Sequence, residues 1–448
     1  MNTGKSKAER KLVRSLLLTG LLIFWSSLLM ATDGHFLHGA GPVNEAMGGA
    51  DTGICLDAAG SIKWNPSCTV LFKGRRLEIH GTFFDPARSV SSTVDANAFG
   101  SGVPGATLGG TTDSRRGAAV MPGLAFIYHP QESKNAYHFA MIAVAGFGLD
   151  YKGNTDFSNP ILSPQPPNGF GFGRVRSNYD LLEIPIGMSR QLTKNLTFGV
   201  SGGPAVSLLQ VTPAPFAPPV MAGSTMPYYL SAGNKAPAYG GGGSAGLHYQ
   251  INKMVSVGVA YHTTDWFQPF TWHREDLTGA LHTLHFRMNL PQYVTMGIGV
   301  SPWEKTKIGA DVRWFDYANT EGFEKVGFNP DGSVTGFGWR SIWAAGGGVE
   351  QQVTSSTKLI GGFNYAQNPV PAKYTFFNLP APAIVQYHVT SGVEQKLRGA
   401  WTLNGSYYHA FRNSITGPWI SPKGPIPGTS VTSRMRENSL TIGVSRSF

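Results

Sequence analysis

From about residue 78 onward, apolar residues recur at every second position along most of the chain. This period is typical of β-strands that have two different faces. The last segment shows it most plainly, because Leu440, Ile442, Val444 and Phe448 share one face, which only Arg446 interrupts, and serines, threonine and glycine fill the positions between. Residues 255–262, 294–300 and 308–314 alternate in the same way. The pattern predicts an all-β protein.

The second face of these strands separates a soluble sandwich from a membrane barrel. A sandwich turns Lys, Glu and Thr toward water, whereas here the second face is mostly Gly, Ser and Thr with isolated charges, as in a barrel lumen. Aromatic residues such as Tyr261, Trp314 and Tyr365 end several segments, as in the aromatic girdles of such barrels. We therefore predict a transmembrane antiparallel β-barrel over residues 77–448, with about 14 strands.

A barrel of this width cannot be filled by its own wall side chains. The lumen therefore holds a plug or is an open channel. Phe448, which closes the last alternating strand, resembles the C-terminal signal by which outer-membrane barrels are recognised for assembly.

Composition supports a membrane barrel and disfavours a nucleic-acid partner. Charged residues make up only 14% of the chain, against about 25% in ordinary soluble domains, and glycine is frequent at 57 of 448 residues. The formal net charge is +10, but much of it lies near the N-terminus and the rest is spread thinly. We expect no nucleic-acid partner, because no Lys/Arg cluster falls on one face of a helix.

The N-terminal residues predict export from the cytoplasm. Lys and Arg residues precede an apolar stretch from Leu16 to Met30, and a small residue, Ala31, comes before polar Thr32. The apolar stretch is shorter than the roughly 20 residues that a spanning helix needs. Residues 1–31 are therefore predicted to be a signal peptide.

The two cysteines of the chain, Cys55 and Cys68, follow shortly after the predicted signal peptide. In an oxidising compartment a disulfide between them persists, and we favour this pairing. A metal site would need two more soft ligands, and His35 and His38 lie too far away in sequence for a recognisable zinc spacing. We predict no metal and no cofactor.

Residues 32–76 do not alternate and are rich in glycine and turn signals, so they are candidates for a plug. Their motifs are His38-Gly39-Ala40-Gly41, Met47-Gly48-Gly49-Ala50, Asp57-Ala58-Ala59 and Asn65-Pro66-Ser67. In this order they resemble the N-terminal hatch of the long-chain fatty-acid and aromatic-hydrocarbon outer-membrane transporters, the FadL/TodX type (OMPP1 family). Weaker similarity continues through Met121-Pro122, Glu183-Ile184-Pro185 and Leu290-Pro291 to the last strand.

The resemblance implies a 14-stranded barrel in the outer membrane, with its lumen closed by the hatch. Gly48, Gly49, Asp57, Asn65 and Pro66 carry the hatch motif. Hydrophobic ligand would be captured by external loops, pass to an interior pocket and leave after movement of the hatch, partly through a lateral opening. Two departures are Ser67, where the family more often has Ala, and the cysteine pair, which would staple the hatch.

Two apolar segments between predicted strands are candidates for contact with ligand, since exposed apolar loops often mark interaction sites. They contain Phe216, Val220, Met221, Trp266, Phe267, Phe270 and Trp272. The alternative is that these residues pack on each other or lie at the membrane interface. Phe36 and Leu37 could contact ligand from inside the hatch, although packing within the hatch is the simpler role. Pro185, which removes a ladder hydrogen bond, marks either a kink at a lateral exit or a plain strand irregularity.

We therefore expect outer-membrane uptake of hydrophobic small molecules such as long-chain fatty acids or aromatic hydrocarbons. A hydrophilic diffusion porin is the alternative, and it would need a polar constriction and no plug. An enzyme is disfavoured, because the twelve histidines fall in no recognisable catalytic motif. The expected partners are the hydrophobic ligand, outer-membrane lipid and lipopolysaccharide, and the barrel assembly machinery, with the protein as a monomer.

Overall fold

The computed structural model describes residues 30–31, 33–222 and 226–448. The predicted signal peptide lies outside the described residues except for Met30 and Ala31, whose backbone pairs with Tyr387 and Gln386. Over the described ranges, no helix combines the length and the apolar character that a membrane crossing requires.

The wall is a closed antiparallel barrel of fourteen strands. Each strand pairs with its neighbours in chain order, and the first strand pairs with the last over Arg76–Val94 and Thr429–Ser447. The strands are β1 Gly74–Val94, β2 Leu108–Asp113 with Ala119–His129, β3 Asn135–Tyr151, β4 Val175–Glu183 with Ile186–Gln191, β5 Leu196–Thr212, β6 Ala232–Gln250, β7 Val255–His262 with Trp266–Phe267, β8 Tyr293–Trp303, β9 Thr306–Phe315, β10 Ile342–Gln352, β11 Thr357–Ala366, β12 Gln386–Lys396, β13 Trp401–Gly417 and β14 Thr429–Ser447.

The alternation in the sequence becomes an apolar outer face and a polar inner face. Ile79, Phe83 and Ile442 are 45%, 49% and 49% exposed on the outside of the wall. Glu78 and Thr441, on the neighbouring positions, are buried in the interior. The predicted all-β barrel of about 14 strands is confirmed.

The first wall strand begins at Gly74, three residues before the predicted boundary at residue 77. Its start is determined by the C-terminus, because the backbone of Arg75 and Phe448 exchanges two hydrogen bonds of 3.3 and 2.9 Å. This partner is more than 370 residues away in the sequence, so local alternation does not reveal it.

One end of the barrel has short turns and the other has long loops, which in outer-membrane barrels face the periplasm and the outside respectively. The long loops hold three small hairpins and three 3-10 helices. The hairpins are Val220–Ala222 with Met226–Tyr228, Phe270–Glu275 with Leu281–Phe286, and Ile420–Ser421 with Gly424–Pro425. The 3-10 helices are Pro160–Leu162, Tyr317–Asn319 and Ala372–Asn378.

Residues 33–73, here called the hatch, lie inside the barrel and are mostly buried. They form α1 Pro42–Ala46, α2 Ala58–Trp64 and a 3-10 helix Pro66–Leu71. Asp57 caps α2, because its Oδ1 accepts a hydrogen bond from the backbone N of Gly60 at 2.7 Å. The glycines and turn residues of this segment allow a compact fold that an extended strand could not form. The hatch fills the lumen that the wall leaves open.

Candidate ligand-binding route

The hatch is held to the wall by two neighbouring side chains of β9. Asp311 Oδ2 accepts hydrogen bonds of 2.9 Å from the backbone N of Asp51 and of Thr52. Arg313 pairs with Asp33 at 3.0 Å and donates to the backbone oxygens of His38 and Gly49. Both β9 side chains are almost completely buried, so the hatch and this strand form one polar interface.

The hatch motif residues also help to hold the hatch against the wall. Asn65 Nδ2 donates to Thr52 O at 2.9 Å and to Leu247 O of β6 at 3.1 Å, so it joins two parts of the hatch and the wall. Pro66 follows it as the first residue of the 3-10 helix. Gly48 and Gly49 have φ angles of +65° and +84°, a backbone conformation that residues with a Cβ rarely adopt.

Cys55 and Cys68 are joined by a disulfide. The bridge encloses α2 and the Asn65-Pro66 turn, with 13 residues of sequence separation. Cys68 is fully buried. His35 and His38 are also buried in the hatch, and among the described residues no three His, Cys, Asp or Glu side chains are arranged to hold a metal ion.

Electrostatics inside the hatch are set by burial. Glu45 of α1 accepts a hydrogen bond from Ser406 of β13 at 2.9 Å, yet removal from water raises the pKa of Glu45 to about 7. Lys63 of α2 forms an ion pair with Glu183 of β4 at 2.9 Å. Asp311 and Arg313 of β9 likewise contact the hatch, so part of the buried charge of the wall is matched by hatch groups.

At the long-loop end lies an apolar cavity of about 530 Å³, here called the outer cavity. Phe216, from the loop after β5, lines it together with Phe286 of the hairpin, and their rings are 4.7 Å apart. A second apolar cavity of about 370 Å³ adjoins it through shared residues. The residues that line both are Pro215, Val334, Phe377 and Pro380.

The candidate ligand-binding residues separate into groups in the structure. Phe216 lines the outer cavity, and Trp272, buried behind it, packs against its ring at 5.5 Å. Phe267 and Phe270 are buried in the same apolar core, and Val220 packs against that core. Met221 and Trp266 are 49% and 61% exposed and line none of the described cavities.

A deeper cavity of about 410 Å³, here called the inner cavity, lies between the hatch and the wall. Phe36 and Leu37 of the hatch both line it, although Phe36 also packs on Phe315 at 4.8 Å. Pro380 and Ala381 line the outer and the inner cavity alike, so this one segment lies between them. Two apolar cavities thus adjoin at this segment, one at the long loops and one beside the hatch.

The inner cavity also adjoins a break in the wall. Strand β2 is interrupted between Asp113 and Ala119, and a small cavity of about 210 Å³ at Arg116 and Gly117 shares Phe84, Gly146 and Gly148 with the inner cavity. Here the backbone N of Ser114 and of Arg115 donates to strands on either side, to Arg88 O at 2.8 Å and Asp150 O at 2.9 Å. The break therefore leaves Arg116 and Gly117 outside the strands about midway along the wall, and this interruption with its small cavity is here called the gap.

Pro185 lies at a different interruption, in β4, as its missing N–H predicts. It lines a cavity of about 450 Å³ whose lining includes Lys63, Glu183 and Asp265. This space is polar, and its lining shares no residue with that of the inner cavity.

Several lining residues were missed from the sequence. They are Pro215, Phe286, Val334, Phe337, Phe377 and Pro380. One signal was available, because Pro380-Ala381-Pro382 repeats the stiff apolar pattern of Pro213-Ala214-Pro215. The others come from loops that only the closed barrel brings together.

Comparison with known proteins gives fold neighbours only. No protein-family profile matches the chain, and no curated protein matches its sequence. The Pseudomonas putida toluene transporter TodX is similar over 92% of this chain and 99% of its own, with 17% identity and a TM-score of 0.66. A Pseudomonas aeruginosa FadL homologue has 13% identity over 92% and 98%, with a TM-score of 0.67. The Ralstonia pickettii toluene transporter TbuX has 17% identity over 92% and 99%, with a TM-score of 0.62. The chain therefore has the barrel fold of the FadL/TodX type.

Proposed function

We propose that the protein lies in the outer membrane and takes up hydrophobic small molecules such as fatty acids or aromatic hydrocarbons. The observation that carries this proposal is the pair of apolar cavities, one at Phe216 in the loops and one beside the hatch, that adjoin at Pro380 and Ala381. Cargo is captured in the outer cavity and passes to the inner one. The toluene transporters among the fold neighbours support the same class of cargo.

The physical reason for such a route is the poor affinity of apolar cargo for water. Each Å² of apolar surface kept out of water is worth about 25 cal/mol, so a dry path holds such a molecule where an aqueous pore would not. The hatch fills the lumen, and its contacts with Asp311 and Arg313 oppose an open aqueous channel. This arrangement disfavours a hydrophilic diffusion porin.

For release we propose a lateral exit through the gap in β2. The small cavity at Arg116 and Gly117 adjoins the inner cavity at Gly146 and Gly148, where the flexible side chain of Arg116 lies over Gly148. Cargo leaving here enters the membrane without crossing the polar base of the hatch. The interruption at Pro185 is a poorer exit, because its space contains the Lys63–Glu183 ion pair.

Uptake of radiolabelled toluene and of a long-chain fatty acid in a deletion strain tests capture. Phe216→Ser removes the ring from the outer cavity, and we expect uptake to fall severalfold while the barrel still assembles. Trp266→Ser is the matched control, since Trp266 is exposed on the outside of the wall. Equal uptake by the two variants in assembled protein would refute capture at this cavity.

The lateral exit is tested by filling the gap. A Cβ on Gly148 meets the flexible end of Arg116, so Gly148→Leu closes the space without a backbone clash. We expect bound ligand to persist while uptake falls. Gly361→Leu is the control, because its Cβ points into open space on the wall. Unchanged uptake in Gly148→Leu would remove this exit from the mechanism.

Liposome swelling separates the proposal from the porin alternative. A closed hatch predicts slow swelling in small sugars. Swelling as fast as that of an open porin would overturn hydrophobic uptake as the main activity.

A further inference from the structure

The inner cavity is lined mainly by apolar residues and glycines, and its polar side chains are His35 of the hatch and two residues at a corner where two strands meet. Arg88 of β1 and Glu437 of β14 both line it, and they are only 4% and 1% exposed. Glu437 pairs across the strands with Pro86, so the two side chains lie close together on the inner face. Phe36, Leu37 and Met435 are among the apolar residues around them.

Among the described residues, each of the two polar groups has one atom without a hydrogen-bond partner. Arg88 Nη1 donates to Gly148 O at 2.5 Å, but Nη2 has no hydrogen-bond partner among the described residues. Glu437 Oε2 likewise has none within the described part of the chain, since His388 Nε2 is 3.8 Å away. No ion pair within 4.0 Å joins Arg88 to Glu437, although the structure describes both. Buried polar atoms normally have partners, so a free donor beside a free acceptor points to a ligand.

The chemistry of the corner limits what this ligand is. A pure hydrocarbon leaves both groups unsatisfied. A carboxylate accepts from Arg88, but it has no donor for Glu437 Oε2 and brings a second acidic group next to Glu437. A hydroxyl accepts from Arg88 and donates to Glu437 while adding no charge.

We propose that the inner cavity selects lipophiles that carry a hydroxyl group, such as phenols or alcohols, over the matching hydrocarbons and carboxylates. This inference rests on the proposed hydrophobic uptake and specifies the cargo at the same site.

A matched ligand set tests it. Toluene, p-cresol and p-toluate share one ring and one methyl group and differ only in carrying no polar group, a hydroxyl or a carboxylate. Their binding to the full-length protein in lipid nanodiscs is measured by calorimetry, with empty nanodiscs subtracted. We expect p-cresol to bind at least tenfold more tightly than either of the others, because hydrogen bonds to charged groups are the stronger ones.

Two variants assign the preference to the corner. Arg88→Met should reduce p-cresol affinity about tenfold and leave toluene unchanged. Glu437→Gln should raise p-toluate affinity, since the amide that replaces the carboxyl group donates a hydrogen bond to the ligand carboxylate. Arg434→Met is the control, because Arg434 lies on the opposite face of β14, where it contacts Ser91.

The outcomes separate this inference from the proposed function. If toluene binds as tightly as p-cresol, or if both variants keep the wild-type affinities for all three ligands, the hydroxyl preference is wrong and hydrophobic uptake still stands. If p-toluate binds best to the wild type, the cargo is an acid and the inference is overturned. If none of the three binds, both proposals fail.

Discussion

Arg313 offers the most direct test of how the hatch is held. Its guanidinium pairs with Asp33 at 3.0 Å, contacts the backbone oxygens of His38 and Gly49, and lies 3.7 Å from the ring centre of Trp64. All these partners belong to the hatch, whereas Arg313 belongs to the wall. Arg313→Met keeps a long apolar side chain for packing and removes every one of these polar contacts.

The expected magnitude follows from the burial of the pair. Arg313 and Asp33 are 1% and 0% exposed, so the substitution leaves Asp33 as an uncompensated buried charge. Breaking a buried pair in this way costs about 3–5 kcal/mol. At about 1.4 kcal/mol for each factor of ten, the undocked hatch becomes about a hundredfold to a few thousandfold more populated. The wall has its own hydrogen-bond ladder, so the barrel should remain assembled.

Single-channel conductance and swelling of liposomes in small sugars report undocking. We expect both to increase in Arg313→Met and to stay at the wild-type level in Arg190→Met, whose side chain is exposed on β4. Adding Asp33→Asn to Arg313→Met should restore part of the closure, because the unpaired charge disappears. Wild-type conductance in a folded Arg313→Met barrel would refute this account of closure.

Three further predictions concern the hatch. Burial raises the pKa of Glu45 from its ordinary 4.5 to about 7, so the docked hatch holds a proton that the undocked hatch releases. Docking should therefore weaken as pH rises between these two values and stay constant above them. Hydrogen exchange should show this pH dependence in the wild type and its loss in Glu45→Gln. Replacing Cys55 and Cys68 with Ser should lower the free energy of hatch unfolding by about 3 kcal/mol and so make the hatch more sensitive to protease. The unfolding temperature of the barrel should not change, and a lower value would contradict this prediction. Gly48→Ala should destabilise the docked hatch by at least about 1 kcal/mol, because its φ is +65° and a Cβ would meet Phe363 O, whereas Gly81→Ala, which meets nothing, should be neutral in the same assay.

The wall could be predicted from the sequence because its physics is local. Lipid on one side and a polar lumen on the other require a two-residue period. The segments that end at Tyr261, Trp314 and Phe448 show this period in their local sequence, with no knowledge of distant contacts. The hatch could be located by its lack of that period. Its motif residues, such as Asp57 and Asn65, have the capping and bridging contacts that turn-rich segments need.

The contacts between distant segments could not be predicted. Arg313 pairs with Asp33, which lies 280 residues away in the sequence. Trp266 was predicted to lie in a loop, but it lies on β7. Residues 263–265 of that strand are irregular and shift its alternation. Trp266 therefore faces outward, whereas His262 faces inward. The gap in β2 has only a weak sequence signal, the charged and small residues Arg115, Arg116 and Gly117 within an otherwise alternating stretch.

The seam between β1 and β14 determines the order in which the molecule can be built. Nineteen residue pairs join these strands, and the last of them exist only after the C-terminal residues have been synthesised and delivered. The hatch precedes β1 in the chain and yet ends up enclosed by all fourteen strands. A closed ring has no lateral edge, so the hatch enters the lumen either while the seam between β1 and β14 is still open or through an end of the barrel.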